Sequence, residues 1–219
     1  KISKKFGLSI VEDAAHAAGA KYNGKKIGNH GNCVCFSFHP VKNLAMPSGG
    51  AITINSKNNK QFSKILKSKR WVGITDRKGS SYDVSNLGWN YYMNEFSAAI
   101  GIEQLKKLNK TNSRRKEIAK IYSKELKIEE KMPFDKNCSF HFYWIQVKNR
   151  KNFMNKMSEN NIETGIHYNP IHKMSFYASK TTLPITEKVS NRIVSLPTHP
   201  NLTDNDLNRI IKIVNRFAK

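Results

Sequence analysis

Short apolar runs alternate with polar, turn-rich stretches in the first part of the chain. Mostly apolar residues occupy positions 8–11, 33–36 and 51–54, and each run has the length of a strand. Residues 56–71 instead place their apolar side chains at helical spacing. The pattern therefore predicts three strands joined by loops and followed by a helix, which is typical of an α/β fold.

A long helix is predicted in the middle of the chain. Between residues 95 and 126 the apolar side chains follow a helical period: Phe96, Ile100, Leu105, Leu108, Ile118, Ile121 and Leu126. The stretch before it, residues 76–87, is polar and rich in turn formers, so its composition predicts a loop. Lys131-Met132-Pro133 follows the helix. We expect it to separate residues 1–130, part of a large domain, from residues 131–219, a smaller α+β domain.

The smaller domain is predicted to hold a strand over 140–147, a helix over 150–160 and a final helix over 204–218. Thr203 is the expected N-cap of the final helix, because a threonine hydroxyl can accept a hydrogen bond from an N–H of the first turn. The final helix carries one apolar stripe, which predicts a face packed on a core rather than on a partner: Leu207, Ile210, Ile211, Val214 and Phe217.

The high positive charge of the chain does not by itself indicate a binding partner. The chain has 38 Lys and Arg against 16 Asp and Glu, a formal net charge of +22. A basic surface can bind nucleic acid by releasing counterions, but the lysines are spread along the chain and no zinc knuckle or aromatic RNA-binding stripe accompanies them. We therefore expect no nucleic-acid partner. No apolar run approaches the length of a membrane span, so we expect no membrane partner either.

Cysteines and histidines form no recognisable metal or disulfide pattern. Cys33 and Cys35 alternate with apolar neighbours and are predicted to be strand side chains rather than a redox pair, and Cys138 leaves the count odd. Such free cysteines are typical of a reducing compartment, here the cytoplasm. His167 and His172 are close in sequence, but no Cys or carboxylate completes a ligand set nearby, so we expect no metal site.

Reactive polar groups directly follow two of the predicted strands. Asp13 comes after the first strand, and Ser37 and Lys42 come after the second. Open α/β sheets bind their ligands in the crevice beyond the carboxyl ends of the strands. A carboxylate for a pyridinium nitrogen, a hydroxyl for a phosphate and an amine for an aldehyde are the groups that pyridoxal 5'-phosphate (PLP) requires of a protein.

Six ordered segments of the chain resemble one enzyme family. From Glu12 to Asn43 the chain reads EDAAHAAGAKYNGKKIGNHGNCVCFSFHPVKN, which closely resembles the DegT/DnrJ/EryC1/StrS sugar aminotransferases, PLP enzymes of fold type I. The resemblance continues in the family's order through residues 49–55, 82–105, the stretch around His141, 163–172 and 195–203. It implies the C-terminal part of a large, mostly parallel-sheet domain and a smaller α+β domain, with a further segment expected before residue 1.

The resemblance implies cofactor roles for five residues. Lys42 would form the Schiff base with PLP and move a proton during amine transfer, and Asp13 would keep the pyridine nitrogen protonated. His16 would lie near the ring, Ser37 would bond the phosphate, and Asn90 would reach the phosphate in the neighbouring subunit of a homodimer. Taken singly, each residue also has an ordinary structural interpretation, such as an Asp capping a turn.

Four further residues are implied on the substrate side of the site: His39, Tyr92, His167 and Tyr168. Two departures from the family leave the identity of the substrate open. Relatives often have Arg at the position of Tyr92, and they commonly have an acidic residue where this chain has Ser48.

The activity that the resemblance implies is PLP-dependent transfer of an amino group to a nucleotide-linked 4-keto or 3-keto deoxysugar, with glutamate as the amine donor. The positive field of the chain would help to attract such an anionic substrate. Two other functions stay open on the same fold, a non-catalytic binding or regulatory protein and a PLP-dependent sugar dehydratase. Dehydratases of this family replace the lysine with histidine, so Lys42 argues against the second.

Overall fold

The computed structural model describes residues 1–31, 33–56, 58–177 and 180–218. Contacts within the chain divide it into two compact units, unit 1 (Lys1–Asn109) and unit 2 (Lys110–Lys219). The domain boundary expected between residues 130 and 131 stays a prediction. Within the described ranges, no helix is both long enough and apolar enough to cross a membrane.

Unit 1 begins with a three-stranded sheet. Its elements are α1 (Ile2–Phe6), β1 (Val11–Asp13), β2 (Lys21–Tyr22), β3 (Lys25–Lys26), β4 (Cys33–Ser37) and β5 (Gly50–Ile54). The sheet has the order β1-β4-β5, in which β1 runs parallel to β4 and β5 runs antiparallel to it. The short β2 and β3 pair separately as a hairpin. All three strands predicted from the apolar runs are present.

The first strand is displaced along the sequence from its prediction. It begins at Val11 and continues to Asp13, whereas the apolar run starts at Leu8. Gly7, with φ 63, caps α1 in the left-handed conformation, and the Leu8 N–H donates to the Ser3 carbonyl at 2.9 Å. Because this helix cap uses the start of the run, pairing with β4 begins three residues later.

The rest of unit 1 contains a helix and a hairpin. Helix α2 (Asn59–Arg70) falls within the predicted range, and β6 (Ile74–Lys78) and β7 (Ser81–Val84) follow as an antiparallel pair. The prediction of a loop over residues 76–87 is wrong. Gly79, with φ 60, opens a two-residue turn between the arms, as hairpins of this length favour. The arms are largely exposed and mostly polar, so their composition resembles that of a loop.

Helix α3 (Glu95–Glu125) confirms the predicted long helix, and it begins in unit 1 and ends in unit 2. The remaining α-helices and strands are β8 (Tyr143–Gln146), α4 (Arg150–Glu159), α5 (Pro184–Ser190), β9 (Ile193–Leu196) and α6 (Asp204–Phe217). Strands β8 and β9 pair antiparallel. The sequence predicted neither α5 nor β9, because both are short and β9 lies beside a proline-rich stretch.

A single large core lies in unit 2. Its fully buried members come from α3, α4, β8, β9 and α6 and from the chain before β8, among them Ile118, Tyr122, Phe140, Tyr143, Phe153, Met157, Val194 and Val214. Helix α6 begins at a capping box, as Thr203 predicted: the Thr203 hydroxyl accepts the Asp206 N–H at 3.1 Å and the Asp206 carboxylate accepts the Thr203 N–H at 3.0 Å. Its predicted apolar stripe packs on this core.

Candidate active site

Asp13 ends β1 at the carboxyl edge of the sheet. In the parallel register of β1 and β4, it lies opposite Cys35. The residue is exposed, and its Oδ1 accepts a hydrogen bond from the Ala15 N–H at 2.9 Å. Within the part of the chain that the structure describes, Oδ2 has no hydrogen-bond donor. The carboxylate is therefore held by one oxygen and open at the other.

Ser37 ends β4, two residues beyond the partner of Asp13. Because the two strands are parallel neighbours, Asp13 and Ser37 lie at the same edge of the sheet. The Ser37 hydroxyl is half-buried and accepts the His39 N–H at a long 3.4 Å. A hydroxyl that accepts one hydrogen bond still has its own proton to donate. This edge thus offers an acceptor and a donor side by side.

Lys42 lies in the loop that leaves β4. Pro40 occupies the second position of a turn from His39 to Lys42, where its fixed φ is favourable, and the Lys42 N–H donates to the His39 carbonyl at 2.8 Å. The Met46 N–H donates to the Phe38 carbonyl at 2.9 Å and closes the loop. Lys42 is half-buried, and its amine forms no hydrogen bond or ion pair with any described residue. The loop therefore presents an uncommitted amine near the strand end.

Packing fixes both flanks of this loop. Leu44 is buried in a small cluster with Leu108, and Phe38 packs on that cluster. After the loop the chain returns at Gly50, where a Cβ atom would lie 2.7 Å from the Phe36 carbonyl oxygen. Only glycine allows so close an approach of two backbones. The position of Lys42 is therefore set by the packing of Phe38 and Leu44 on either side of it and by Gly50 at the start of β5.

Two histidines flank the same strand ends. His16 is half-buried in a turn after Asp13, which is closed by the Ala17 N–H donating to the Ala14 carbonyl at 2.9 Å. His39 is exposed, and its Nδ1 accepts the Val41 N–H at 3.4 Å. Both contacts shape turns, and the cofactor role of His16 and the substrate role of His39 stay predictions.

Asn90 and Tyr92 lie on a segment that runs beside the end of α2. Asn90 forms an antiparallel bridge with Trp71, and both Asn90 and Tyr92 are exposed. The Tyr92 ring centroid lies 6.4 Å from that of Trp71 and 5.6 Å from the Arg70 guanidinium. The segment is therefore held through its backbone and through Tyr92, which leaves the Asn90 amide at the surface of unit 1.

His167 and Tyr168 belong to unit 2. The His167 ring stacks on Phe142 with centroids 5.2 Å apart, and its Nδ1 lies 2.8 Å from the Ser195 hydroxyl. Tyr168 is 57% exposed. The sequence did not single out Ser195, because it lies on β9, which was not predicted. The short apolar run of Ile193, Val194 and Leu196 around it is the signal that would have found the strand and its buried polar residue.

The Cys35 thiol near the strand ends is not a competing nucleophile. Burial, reinforced by Cys33 and Asp13, raises the pKa of the Cys35 thiol, so this thiol is neutral at pH 7. Cys33, Cys35 and Cys138 are all free, in agreement with the interpretation of the first two as strand side chains. Among the described residues, no group of three or more His, Cys, Asp or Glu side chains is placed to hold a metal ion.

The groups that unit 1 brings together fit PLP by their chemistry. Asp13 offers a free carboxylate oxygen for a pyridinium nitrogen, and Ser37 offers a hydroxyl proton for a phosphate oxygen. Lys42 offers an amine that no described carboxylate engages. These are the three groups that the cofactor requires, and two of them stand at one edge of a parallel strand pair, where α/β folds bind ligands.

Nearly the whole chain is similar to known proteins. Residues 1–215 match the DegT/DnrJ/EryC1/StrS aminotransferase family. Uncharacterized protein MJ1066 of Methanocaldococcus jannaschii is 35% identical over 240 aligned residues, which cover 100% of this chain and 61% of that protein.

Solved structures agree with the sequence match. PseC of Helicobacter pylori, an aminotransferase involved in the biosynthesis of pseudoaminic acid, superposes with a TM-score of 0.90 at 27% identity, over 99% of this chain and 61% of PseC. The sugar aminotransferase CalS13 of Micromonospora echinospora superposes with a TM-score of 0.85 at 29% identity, over 98% of this chain and 60% of CalS13. The chain spans about three fifths of the length of these relatives. It belongs to the DegT/DnrJ/EryC1/StrS aminotransferase family.

Proposed function

We propose that this chain is the lysine-bearing part of a PLP-dependent sugar aminotransferase. The enzyme would transfer an amino group from glutamate to a nucleotide-linked keto-deoxysugar. Aminotransferases of this family use PLP. The observation that carries the proposal is the placement of Lys42: an uncommitted amine on an anchored loop that leaves the strand beside Asp13. PLP supplies an electron-withdrawing ring that accepts the electron pair left on a substrate carbon when its proton is removed.

The residues of unit 1 divide the work around that ring. The Asp13 carboxylate would hold a positive charge on the ring nitrogen, because an anion beside a pyridinium favours its protonated form. The Ser37 hydroxyl would donate a hydrogen bond to a phosphate oxygen and so fix the orientation of the ring. The Lys42 amine would hold the cofactor at its aldehyde carbon and, when free, would take a proton from one carbon and deliver it to another.

We further propose that two copies of the chain share each site. The support is the exposed amide of Asn90, which the backbone bridge with Trp71 holds at the surface. In such a homodimer, Asn90 of one subunit would donate to the phosphate held by Ser37 of the other. Free cysteines in both units support a reducing compartment, and we propose the cytoplasm as the place of the reaction.

Turnover is the direct test of the proposed activity. The protein loaded with PLP is incubated with glutamate and a panel of nucleotide-linked keto-deoxysugars, and 2-oxoglutarate and the mass of the sugar product are followed. We expect release of 2-oxoglutarate together with a sugar that has gained an amino nitrogen. A deoxygenated product without nitrogen would assign the chain to a dehydratase. Bound cofactor with no turnover on any sugar would favour a non-catalytic protein.

Shared sites are tested by complementation between two inactive variants. Lys42→Ala and Asn90→Ala subunits are mixed, and exchange produces heterodimers with one intact site made from the lysine of one subunit and the asparagine of the other. We expect the mixture to recover about a quarter of the native activity, because half of the dimers carry one good site of two. Absence of any recovery, with heterodimers demonstrated, would contradict a site shared through Asn90.

A further inference from the structure

A glycine lies inside α3 at a position where the backbone does not require one. Gly101 belongs to the part of the helix in unit 1, is buried, and does not have the positive φ that favours glycine. Glycine inside a helix costs about 1 kcal/mol relative to alanine. The backbone alone would therefore favour alanine at this position, and the reason for the glycine is packing.

The side chain of Met46 occupies the space that the glycine leaves open. A Cβ atom at position 101 would lie 2.7 Å from the Met46 Sδ, 2.8 Å from its Cε and 3.2 Å from its Cγ. Met46 is 5% exposed, so its thioether lies buried directly on the backbone of α3. An unbranched, flexible thioether is well suited to an irregular gap of this kind. We call this gap the Gly101 notch.

Met46 also belongs to the base of the loop that carries Lys42. The Met46 N–H donates to the Phe38 carbonyl at 2.9 Å, and the Phe38 N–H donates to the Gly49 carbonyl at 2.9 Å. Lys42 lies midway between Phe38 and Met46 in the sequence. The same residue therefore closes the loop through its backbone and contacts α3 through its side chain.

A second methionine covers the other end of the loop. A Cβ atom at Gly49 would lie 2.8 Å from the Met93 Cε and 3.4 Å from the Met46 Cε. The methyl groups of the two methionines therefore both lie beside Gly49. Any shift of the Met46 thioether out of the Gly101 notch would also change the packing at this closing residue.

The Lys42 amine itself is not held in place by other side chains. It forms no hydrogen bond or ion pair with any described residue, so its position depends on the backbone of the loop. Contact between a thioether and a glycine leaves no room for even one methyl group, which sets the depth of the loop base on α3 closely.

We infer that Met46 and Gly101 are positioning residues for Lys42. Together with the packing of Phe38 and Leu44, the thioether in the Gly101 notch sets where the amine stands relative to the strand ends. The inference rests on the proposed function, in which Lys42 holds the cofactor and moves the proton.

Gly101→Ala tests the inference by placing a methyl group in the notch. Alanine is the better helix former, so the helix should stay intact while the thioether is displaced. In single turnovers of the PLP-loaded protein at saturating glutamate, we expect the rate to fall by about 10- to 100-fold, because a small misplacement of a catalytic group has an effect of this size. The half-saturating glutamate concentration should change by less than about twofold, because the donor still binds.

The double variant Met46→Ala/Gly101→Ala shows whether the two residues act through each other. Met46→Ala alone should lower the single-turnover rate by about tenfold. The double variant should be no slower than Met46→Ala, because the added methyl group no longer meets a thioether. Independent residues would instead give losses that multiply, and that result would overturn the inference.

Amide hydrogen exchange over residues 38–49 supplies a readout that needs neither PLP nor turnover. In Gly101→Ala without PLP, we expect the N–H groups of Phe38 and Met46 to exchange about tenfold faster or more, because displacement of the thioether weakens the bonds at the loop base. Faster exchange with an unchanged single-turnover rate would show a purely structural contact and would overturn the inference.

Met157→Ala is the matched control, since Met157 is an equally buried methionine in the core of unit 2. It should lower the melting temperature but change neither the single-turnover rate nor the exchange of residues 38–49. Equal losses of rate in Met157→Ala and Met46→Ala would show that lost stability, rather than lost position, is the cause, and would contradict the inference.

Failure of this inference is distinguishable from failure of the proposed function. Native exchange and a native rate in Gly101→Ala would overturn the inference alone. A native protein in which PLP attaches to no lysine would overturn the proposed function alone, because hydrogen exchange without PLP still tests the contact between Met46 and Gly101.

Discussion

Unit 2 and unit 1 bury their apolar residues to very different extents. In unit 2, Phe140, Tyr143 and Phe153 are at most 1% exposed and belong to one large cluster. In unit 1, the buried cluster of described residues consists of Ala18, Leu44 and Leu108, while large side chains such as Val11 at 68% and Phe96 at 84% stay exposed. Extensive apolar exposure marks surfaces that interact with other chain segments or subunits.

This difference predicts that substitutions in the two units affect different properties, stability in unit 2 and activity in unit 1. Unit 2 is held by its own core, so changes there should act mainly on the free energy of unfolding. Unit 1 carries Asp13 and Lys42 at or near its strand ends, and no described residue forms an ion pair with either, so changes at these two residues should act mainly on activity. Four predictions follow this division, from the largest expected effect to the smallest.

Lys42→Ala should lower the rate of amine transfer by about 10²- to 10⁴-fold, because it removes the group that moves the proton. The melting temperature should stay close to that of the native protein, since the amine forms no hydrogen bond or ion pair with a described residue. Steady-state kinetics and thermal melts measure the two effects. Lys25→Ala, on the exposed β2–β3 hairpin, is the matched control and should change neither. A large fall in stability with Lys42→Ala would show that the division between the units is wrong.

Phe153→Ala should destabilise the protein by about 3–5 kcal/mol, because it opens a cavity in the core of unit 2. Chemical denaturation measures the loss, and turnover per folded molecule should stay within about twofold of the native value. Asn152→Ala, at the neighbouring exposed position, is the control. Asn152 donates only its backbone N–H to the Asn149 cap, and alanine keeps that N–H. Equal destabilisation by both substitutions would contradict a core centred on Phe153.

Thr203→Ala should cost about 1 kcal/mol, because it removes one half of the capping box of α6 and leaves the Asp206 N–H without its acceptor. Thr203→Ser keeps the hydroxyl and should recover most of the loss. Urea denaturation of the two variants distinguishes the hydrogen bond from the side-chain volume. If serine fails to restore stability, the cap is not the source of the effect.

Glu187→Gln should remove a contribution to the stability of the fold that the native protein loses as the pH falls. Hydrogen bonds from the Leu183 N–H, His172 and Lys173 lower the pKa of Glu187 from 4.5 to about 2. Since the folded-state pKa is the lower one, the carboxylate stabilises the fold above about pH 4.5, and this contribution is lost as the pH falls toward 2.

Melting temperatures of the native protein and of Glu187→Gln, taken from pH 6 to pH 2, should therefore converge as the pH falls. Glu159→Gln, which removes an exposed ion pair with Lys156, is the control and should show no such convergence. A gap between native protein and Glu187→Gln that stays constant with pH would contradict the role assigned to Glu187.

The sequence predicted the elements that have one strong local signal. Helix α6 shows both an apolar stripe and a capping threonine, and β4 is an uninterrupted apolar run, so both were found close to their observed bounds. The β6–β7 hairpin was missed because its arms are largely exposed and mostly polar. Strand β9 was missed because its four residues gain their pairing from β8, which is far away in sequence.

The residues of the candidate site and of its surroundings also differ in whether the sequence could predict them. Asp13, Ser37 and Lys42 could be predicted because the resemblance and the ends of the strands both mark them. Local sequence does not reveal that the Ser68 hydroxyl has no hydrogen-bond partner among the described residues, or that the Arg77 guanidinium lies over the Trp71 ring, since both depend on how the hairpin folds beside α2. Contacts of this kind depend on tertiary structure and have no signature in composition or period.

Borohydride reduction of the PLP-loaded protein, followed by peptide mass mapping, tests the central claim most directly. Reduction fixes the cofactor to whichever amine holds it, so its position can be read from the modified peptide. We predict a pyridoxyl group on Lys42 and its loss in Lys42→Ala. Cofactor bound to folded protein with no adduct on Lys42, or with adducts spread over surface lysines, would contradict the assignment of this site.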